Sequence, residues 1–326
     1  MKNHFVVLFL VAALTPLAGC EKSSGSSGEK VFRIAVIPKG TSHDFWYSVH
    51  AGVKQADDEF DDVRVTWKGP ASEGDTGEQI KMVENFLIDG YSGVCLAPLD
   101  AIALRRPVEQ AIGMNVPVLI FDSALADPGG TVSYVATNNY RGGQRAGEYL
   151  AKLMNGRGKV ILMRYAINSE STEQREQGFL DGLAKFPEIT FLEKDKHAGP
   201  TESDAIKLAE NLLSNYRDQV QGIFCPNQST TSGMLNALRS AGLAGKVYFV
   251  GFDAGENIAK AVESGEISAT VLQDPVKMGY ETVRVMRQRL LGRPAPPRIE
   301  VPEALATTEN CRDPEIRALL YPAMAE

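Results

Sequence analysis

Short β-rich runs alternate along this chain with helix-length amphipathic segments, which predicts an α/β fold with parallel sheets covered by helices. Two further observations divide that fold in two. The 326 residues leave, beyond a short leader, enough chain for two lobes with separate cores. Two similar stretches also end on an aspartate, VLIFDSA at Asp122 and VYFVGFDAG at Asp253. Each follows another apolar run (GVCLAPLD from Gly93, QGIFCPNQS from Gln221) with a helix-length segment between, roughly the thirty residues of a βαβ unit. Parallel sheets present ligand-binding groups at the carboxyl ends of their strands. Two such halves facing each other make a cleft with an acceptor on each wall, although strand-end aspartates also serve as caps for the helix that follows.

The leader comes first. Lys2 and His4 precede an apolar run from Phe5 to Leu14, too short to span a bilayer and suited to the core of a signal peptide. The string LAGC ending at Cys20 resembles the lipobox of bacterial lipoproteins, so residues 1–19 are expected to be removed and Cys20 lipidated. Residues 20–30 contain SSGSSG, a polar tether that would hold a folded domain off a membrane. Glu21, rather than aspartate, after the cysteine resembles outer-membrane sorting.

From Val31 onward strands are expected at 32–37, 63–67, 93–97, 116–121, 159–163, 189–193, 222–225, 247–251 and 268–272. Helices are expected near 44–60, 75–90, 101–114, 139–155, 173–186, 201–216, 230–241, 255–264 and 275–291. In the first helix Phe45, Trp46, Val49, Val53, Ala56 and Phe60 recur at three- and four-residue steps and make one buried stripe. Ser42 and Asp44 can cap its start. Gly142 and Gly143 lie where a helix begins against a neighbour, a place that wants no side chain. The chain is expected to change lobes near Thr137–Asn139, again near Gln273–Pro275, and a third time in the proline-rich stretch from Pro294 to Pro302. Residues 31–137 with 274–296 then form an N-terminal lobe, and 138–273 with 297–326 a C-terminal lobe. Several thin crossings make a hinge, a device for closing on a ligand.

A formal net charge of −7 with no basic run excludes nucleic acid as a partner. Cys95 and Cys225 sit in apolar runs of different halves, and with Cys311 they leave an odd count once Cys20 is lipidated. No disulfide framework is expected. The first strand is followed by PKGTSHDF rather than G-x-G-x-x-G, and neither a P-loop nor a G-x-S-x-G elbow occurs. His43, His50 and His197 lack metal-ligand spacing. No enzyme, cofactor or metal is expected.

The strings IAVIPKGTSHDFW, APLD, FDSA, ATNNYRGG, REQGF, CPNQ, VGFDAG and ATVLQDP occur in the order found in type I periplasmic sugar-binding proteins, and the chain resembles their ribose-binding branch. The likeness runs from about Val31 to Leu291. It implies two Rossmann-like lobes joined by a three-crossing hinge, closing on one monosaccharide and delivering it to the permease subunits of an ABC importer. The protein is expected to be exported, anchored through the lipid on Cys20, and monomeric.

The resemblance also implies a pocket. Lys39, His43, Phe45 and Trp46 occupy the family's positions at the first strand end and the following helix start. There aromatic faces pack on a sugar ring while polar groups read its hydroxyls. The stripe of the first helix gives Phe45 and Trp46 an ordinary core role as well. Asp122 matches an acceptor for sugar hydroxyls. Ser123 stands where ribose binders carry arginine, which removes a bidentate donor and puts ribose itself in question. Arg175 matches the pocket arginine of the second lobe, Asn227 a group that both donates and accepts, Asp253 the second acceptor, and Gln273 the amide at the late crossing. Lys39 and His43 hint at a sugar acid, while Lys39 could equally pair with Asp44 or reach solvent. In KHAGPTESDA an aromatic wall would fall to His197 or to nothing. A sugar-sensing subunit that presents its liganded form to a membrane receptor is the alternative to transport. A lactose-repressor-like regulator is excluded by the export signal, which stands where its DNA-binding segment would be.

Overall fold

The computed structural model describes residues 1–2, 31–127 and 129–324; the apolar run of the leader, Cys20 and the tether lie outside them. Val31 to the C-terminus forms one compact unit. Its first lobe begins β1 (Phe32–Ile37), α1 (Asp44–Glu59), β2 (Val63–Trp67), α2 (Thr76–Ile88), β3 (Gly93–Leu96), α3 (Arg105–Gly113), β4 (Val118–Phe121) and β5 (Tyr134–Thr137). The chain then crosses into α4 (Asn139–Leu153), β6 (Arg157–Leu162), α5 (Glu170–Leu183), β7 (Glu188–Glu193), α6 (Glu202–Tyr216), β8 (Gly222–Phe224), α7 (Gln228–Ser240), β9 (Tyr248–Phe252), α8 (Glu256–Ser264) and β10 (Ala269–Leu272). It returns for α9 (Pro275–Leu290) and β11 (Arg298–Val301), and ends in the second lobe with β12 (Ala304–Thr307) and α10 (Pro314–Leu320).

Two six-stranded sheets result, ordered β11-β5-β4-β3-β1-β2 and β12-β10-β9-β8-β6-β7. The first is parallel throughout; in the second only β12 runs antiparallel, against β10. Successive strand residues point to opposite faces, so each sheet is buried twice. Ile34, Val36, Leu119 and Phe121 pack under α1 and α9, while Ala35, Ile37, Val118 and Ile120 pack under α2 and α3. In the second lobe Leu162, Val250 and Phe252 pack with residues of α4 and α5, whereas Ile161, Ile223 and Phe249 face the other side. Cys95, Cys225 and Cys311 are buried free thiols.

The nine expected strands and nine expected helices are present, with shifts of a few residues at their ends. Four elements were not expected. β5 is the short YVAT run, β11 (RIEV) carries charges on an edge, β12 is only four residues long, and α10 spans seven. β11 corrects the third crossing. It pairs with β5 in the first sheet, so the chain changes lobes at Pro302–Glu303 and not before residue 297.

Two helix pairs fix the positions of site residues by close backbone approach. A Cβ on Gly143 of α4 would lie 1.9 Å from the Arg175 carbonyl oxygen of α5. One on Gly279 of α9 would lie 2.0 Å from the Val49 carbonyl oxygen of α1. Glycine is required at both positions because any side chain would force the helices apart.

Candidate functional site between the lobes

The carboxyl ends of both sheets point at each other, and the groups between them define the candidate site. Asp122 follows β4 with φ 61° and Asp253 follows β9 with φ 72°. Aspartate tolerates this left-handed conformation better than most residues. Each backbone N–H still continues the ladder, Asp122 donating to Val135 and Asp253 to Val271. The turn therefore ends the strand while aiming the carboxylate across the cleft.

Lys39 leaves β1 and is buried. Its ammonium donates to Ser169 Oγ and Ser171 Oγ of the opposite lobe, each at 3.1 Å, and lies 3.5 Å from Asp122 Oδ2. It pairs neither with Asp44 nor with solvent. The N-cap of α1 is His43, not Ser42 or Asp44, and its imidazole makes no cap bond. Its Nδ1 is instead 2.8 Å from Glu73 Oε1. A helix start leaves N–H groups unpaired, and here Phe45 N donates 3.0 Å to Gln228 Oε1 across the cleft. Trp46 is both core and wall: it is buried against Phe121, stacks edge-on with Phe45, and donates Nε1 to Glu73 Oε1 at 2.6 Å.

In the second lobe Arg175 is buried over the Phe252 ring, with its guanidinium carbon 3.9 Å from the ring centre. Nε donates to Asn139 Oδ1, and Nη1 donates to the Pro226 carbonyl and lies 3.7 Å from Asp253 Oδ2. Asp253 also accepts from Gln228 N at 2.9 Å and Gln273 Nε2 at 2.7 Å. Gln273 Oε1 in turn accepts from Thr137 Oγ1, which ties two hinge crossings together. Asn227 closes a capping box with Thr230, so its carbonyl oxygen is largely committed to α7.

Lys39, His43, Phe45, Trp46, Asp122, Arg175, Asn227, Asp253 and Gln273 all line one cavity with about 340 Å³ of free space, part of it open to solvent. Ser123 does not line it. Its Oγ accepts from Ser171 N, a direct bond between the lobes. Five lining residues escape the sequence reading: Glu73, Tyr165, Ser171, Thr172 and Gln228. The aromatic wall of the second lobe is Tyr165, just beyond β6, while His197 is exposed beside Arg164. Glu73 and Tyr165 sit in loops that follow strands, so the strand-end argument that selected Asp122 and Asp253 reaches them as well.

Charge sets the protonation states. Burial alone would push the Glu73 carboxyl up, but the hydrogen bond and charge of His43, with Lys39 and the Tyr165 hydroxyl, bring it down to about 2. Burial depresses His43, yet Glu73 outweighs it and holds the imidazole above its ordinary value. Burial raises Asp122, which Lys39 and Arg175 only partly offset.

A model of the periplasmic binding protein domain matches residues 34–294. The chain belongs to the periplasmic binding proteins. Among relatives of this family, it is 29% identical over 264 residues to the ribose import binding protein RbsB of Escherichia coli (strain K12), covering 79% of this chain and 85% of the relative. Among solved periplasmic binding proteins, a carbohydrate transporter solute-binding protein from Agrobacterium radiobacter in complex with D-arabinose superposes with a TM-score of 0.85. It is 28% identical, with 89% of this chain and 99% of that one covered. The periplasmic component of a sugar transport system from Hahella chejuensis gives a TM-score of 0.81 at 33% identity, over 84% and 99% of the two chains. The two sheets are thus those of a periplasmic binding protein.

Proposed function

We propose that the protein is the substrate-binding lipoprotein of an ABC importer and captures a neutral monosaccharide, a pentose or hexose, by closing its lobes on it. One observation carries the choice of ligand. The cavity holds three cations and three carboxylates, each cation beside its own anion: Lys39 by Asp122, His43 by Glu73, Arg175 by Asp253. A sugar acid would add a charge with no free counter-ion, which is costly in a buried site. Neutral hydroxyls instead add donors to Asp122 and acceptors for Lys39, with Phe45, Trp46 and Tyr165 as apolar faces. The ribose-binding relative and the D-arabinose complex support a sugar of this size. Lipidation at Cys20, a tether over residues 20–30 and a monomeric state complete the reading.

The test is a thermal-shift screen with D-ribose, D-arabinose, D-glucose, D-galactose, glucosamine and galacturonate. A true ligand should add about 2.7 kcal/mol at a hundredfold excess over its dissociation constant. A shift larger with galacturonate than with every neutral sugar would overturn the neutral-ligand reading. No shift with any of them would overturn the substrate class.

A further inference from the structure

Glu73 belongs to the segment between β2 and α2, and its side chain is only 6% exposed. Three donors converge on it. Oε1 accepts from Trp46 Nε1 at 2.6 Å and lies 2.8 Å from His43 Nδ1; Oε2 accepts from the Tyr165 hydroxyl at 2.6 Å. The first two donors belong to the lobe of Glu73, and the third belongs to the opposite lobe. Beside it Gly74 meets Pro200 of the second lobe, where a Cβ would stand 3.1 Å from the proline ring. Burial and the Glu73 charge both hold the Tyr165 phenol well above its ordinary value, so it remains a donor. Tyr165 is itself held from behind, its N–H donating to Glu176 Oε1.

From this geometry we infer that Glu73 is a positioning residue for ligand capture, orienting Trp46 and His43 in the first lobe and latching Tyr165 of the second lobe as the cleft shuts. The inference rests on the reading of the cleft as a sugar site. Hydrogen bonds to a buried ionised carboxylate are among the stronger ones in proteins, and the Glu73–Tyr165 bond can exist only with the lobes together. It therefore adds to the closed state alone. A contact made only in the closed state lowers the dissociation constant of any ligand that needs closure. Trp46 and Tyr165 line the cavity on either side of Glu73, so the same latch sets the spacing of two ring faces.

The test compares wild type with Glu73→Gln, Tyr165→Phe and the double variant. It titrates D-ribose and D-arabinose calorimetrically and measures small-angle scattering without sugar. Tyr165→Phe should weaken binding about tenfold or more, as expected for loss of a hydrogen bond to a charged group. The double variant should bind no worse than Glu73→Gln. Losses that add in the double variant overturn the latch. If neither sugar binds wild type, the sugar reading fails for those ligands. Scattering then decides the latch: a radius of gyration larger in Tyr165→Phe supports it, and an identical one overturns it.

Discussion

Asp122 of the first lobe and Asp253 of the second end matching strands in the same left-handed conformation, but their carboxylates are held differently. Asp253 accepts from a backbone N–H and an amide and lies beside a guanidinium, all within its own lobe or the hinge. The Asp122 carboxylate has one neighbour of this kind, Lys39 at 3.5 Å, and that lysine is shared with two serines of the other lobe. Burial accordingly pushes Asp122 up. The second carboxylate is held by several donors of the protein, while the first has lone pairs that, under the proposed function, sugar hydroxyls would meet.

The sharpest way to break that comparison is to truncate both aspartates. Asp253→Ala strands Gln228 N, Gln273 and Arg175 and should cost about 3 kcal/mol of unfolding free energy. Asp122→Ala leaves Lys39 without its anion but with both serine partners, and relieves the cost of burying Asp122, so it should cost less, about 1–2 kcal/mol. Urea unfolding measures both, and equal losses would show that the walls are not different in kind. Either change should abolish a sugar-induced thermal shift.

A smaller effect separates the helix pairs. Gly143→Ala and Gly279→Ala should each destabilise by about 2 kcal/mol through overpacking. The clash at Gly143 falls on Arg175 itself, whereas that at Gly279 falls on Val49, a turn away from Phe45. Calorimetric titration should therefore show the greater loss of sugar affinity for Gly143→Ala. A greater loss for Gly279→Ala would place the more sensitive wall in the first lobe.

The smallest effect concerns two buried glutamates. Burial raises Glu176 of the second lobe to about 7 despite the Tyr165 N–H and Arg164, while Glu73 of the first lobe is held at about 2. The signs are opposite. The stability linked to Glu176 is present when it is protonated and is lost as pH rises toward and through about 7. That linked to Glu73 is present when it is ionised and is lost as pH falls toward about 2. Glu176→Gln should flatten the stability profile between its ordinary value of 4.5 and about 7, and Glu73→Gln should flatten the acid limb. Thermal melts across pH measure both, and a neutral limb unchanged in Glu176→Gln would mean its carboxyl is ionised there.

Much of this molecule is legible in its sequence. Strand and helix periods, the strand-end aspartates and the small residues of NNYRGGQRAG all report local geometry or the side of an element that is buried. The unexpected elements were illegible for a related reason. β11 and β12 are four-residue strands that exist because a neighbouring edge offers hydrogen bonds, and β11 joins the first sheet only through its pairing with β5. The site divides in the same way. Arg175 follows from its motif, whereas Glu73 gains meaning only from Trp46, His43 and Tyr165, which lie 27, 30 and 92 positions away in the chain (27 and 92 for the two hydrogen-bonded partners).

By itself, the sequence determined that two α/β halves would each end a strand on an aspartate, because hydrophobic periodicity and strand-end chemistry are written locally. Only the tertiary structure decided which charge each aspartate meets. Lys39 is bound by Ser169 and Ser171, and Ser123 bonds Ser171 rather than lining the cavity. Those partners come from opposite lobes, and a pairing of that kind is fixed by the closure of the cleft, which no local pattern encodes.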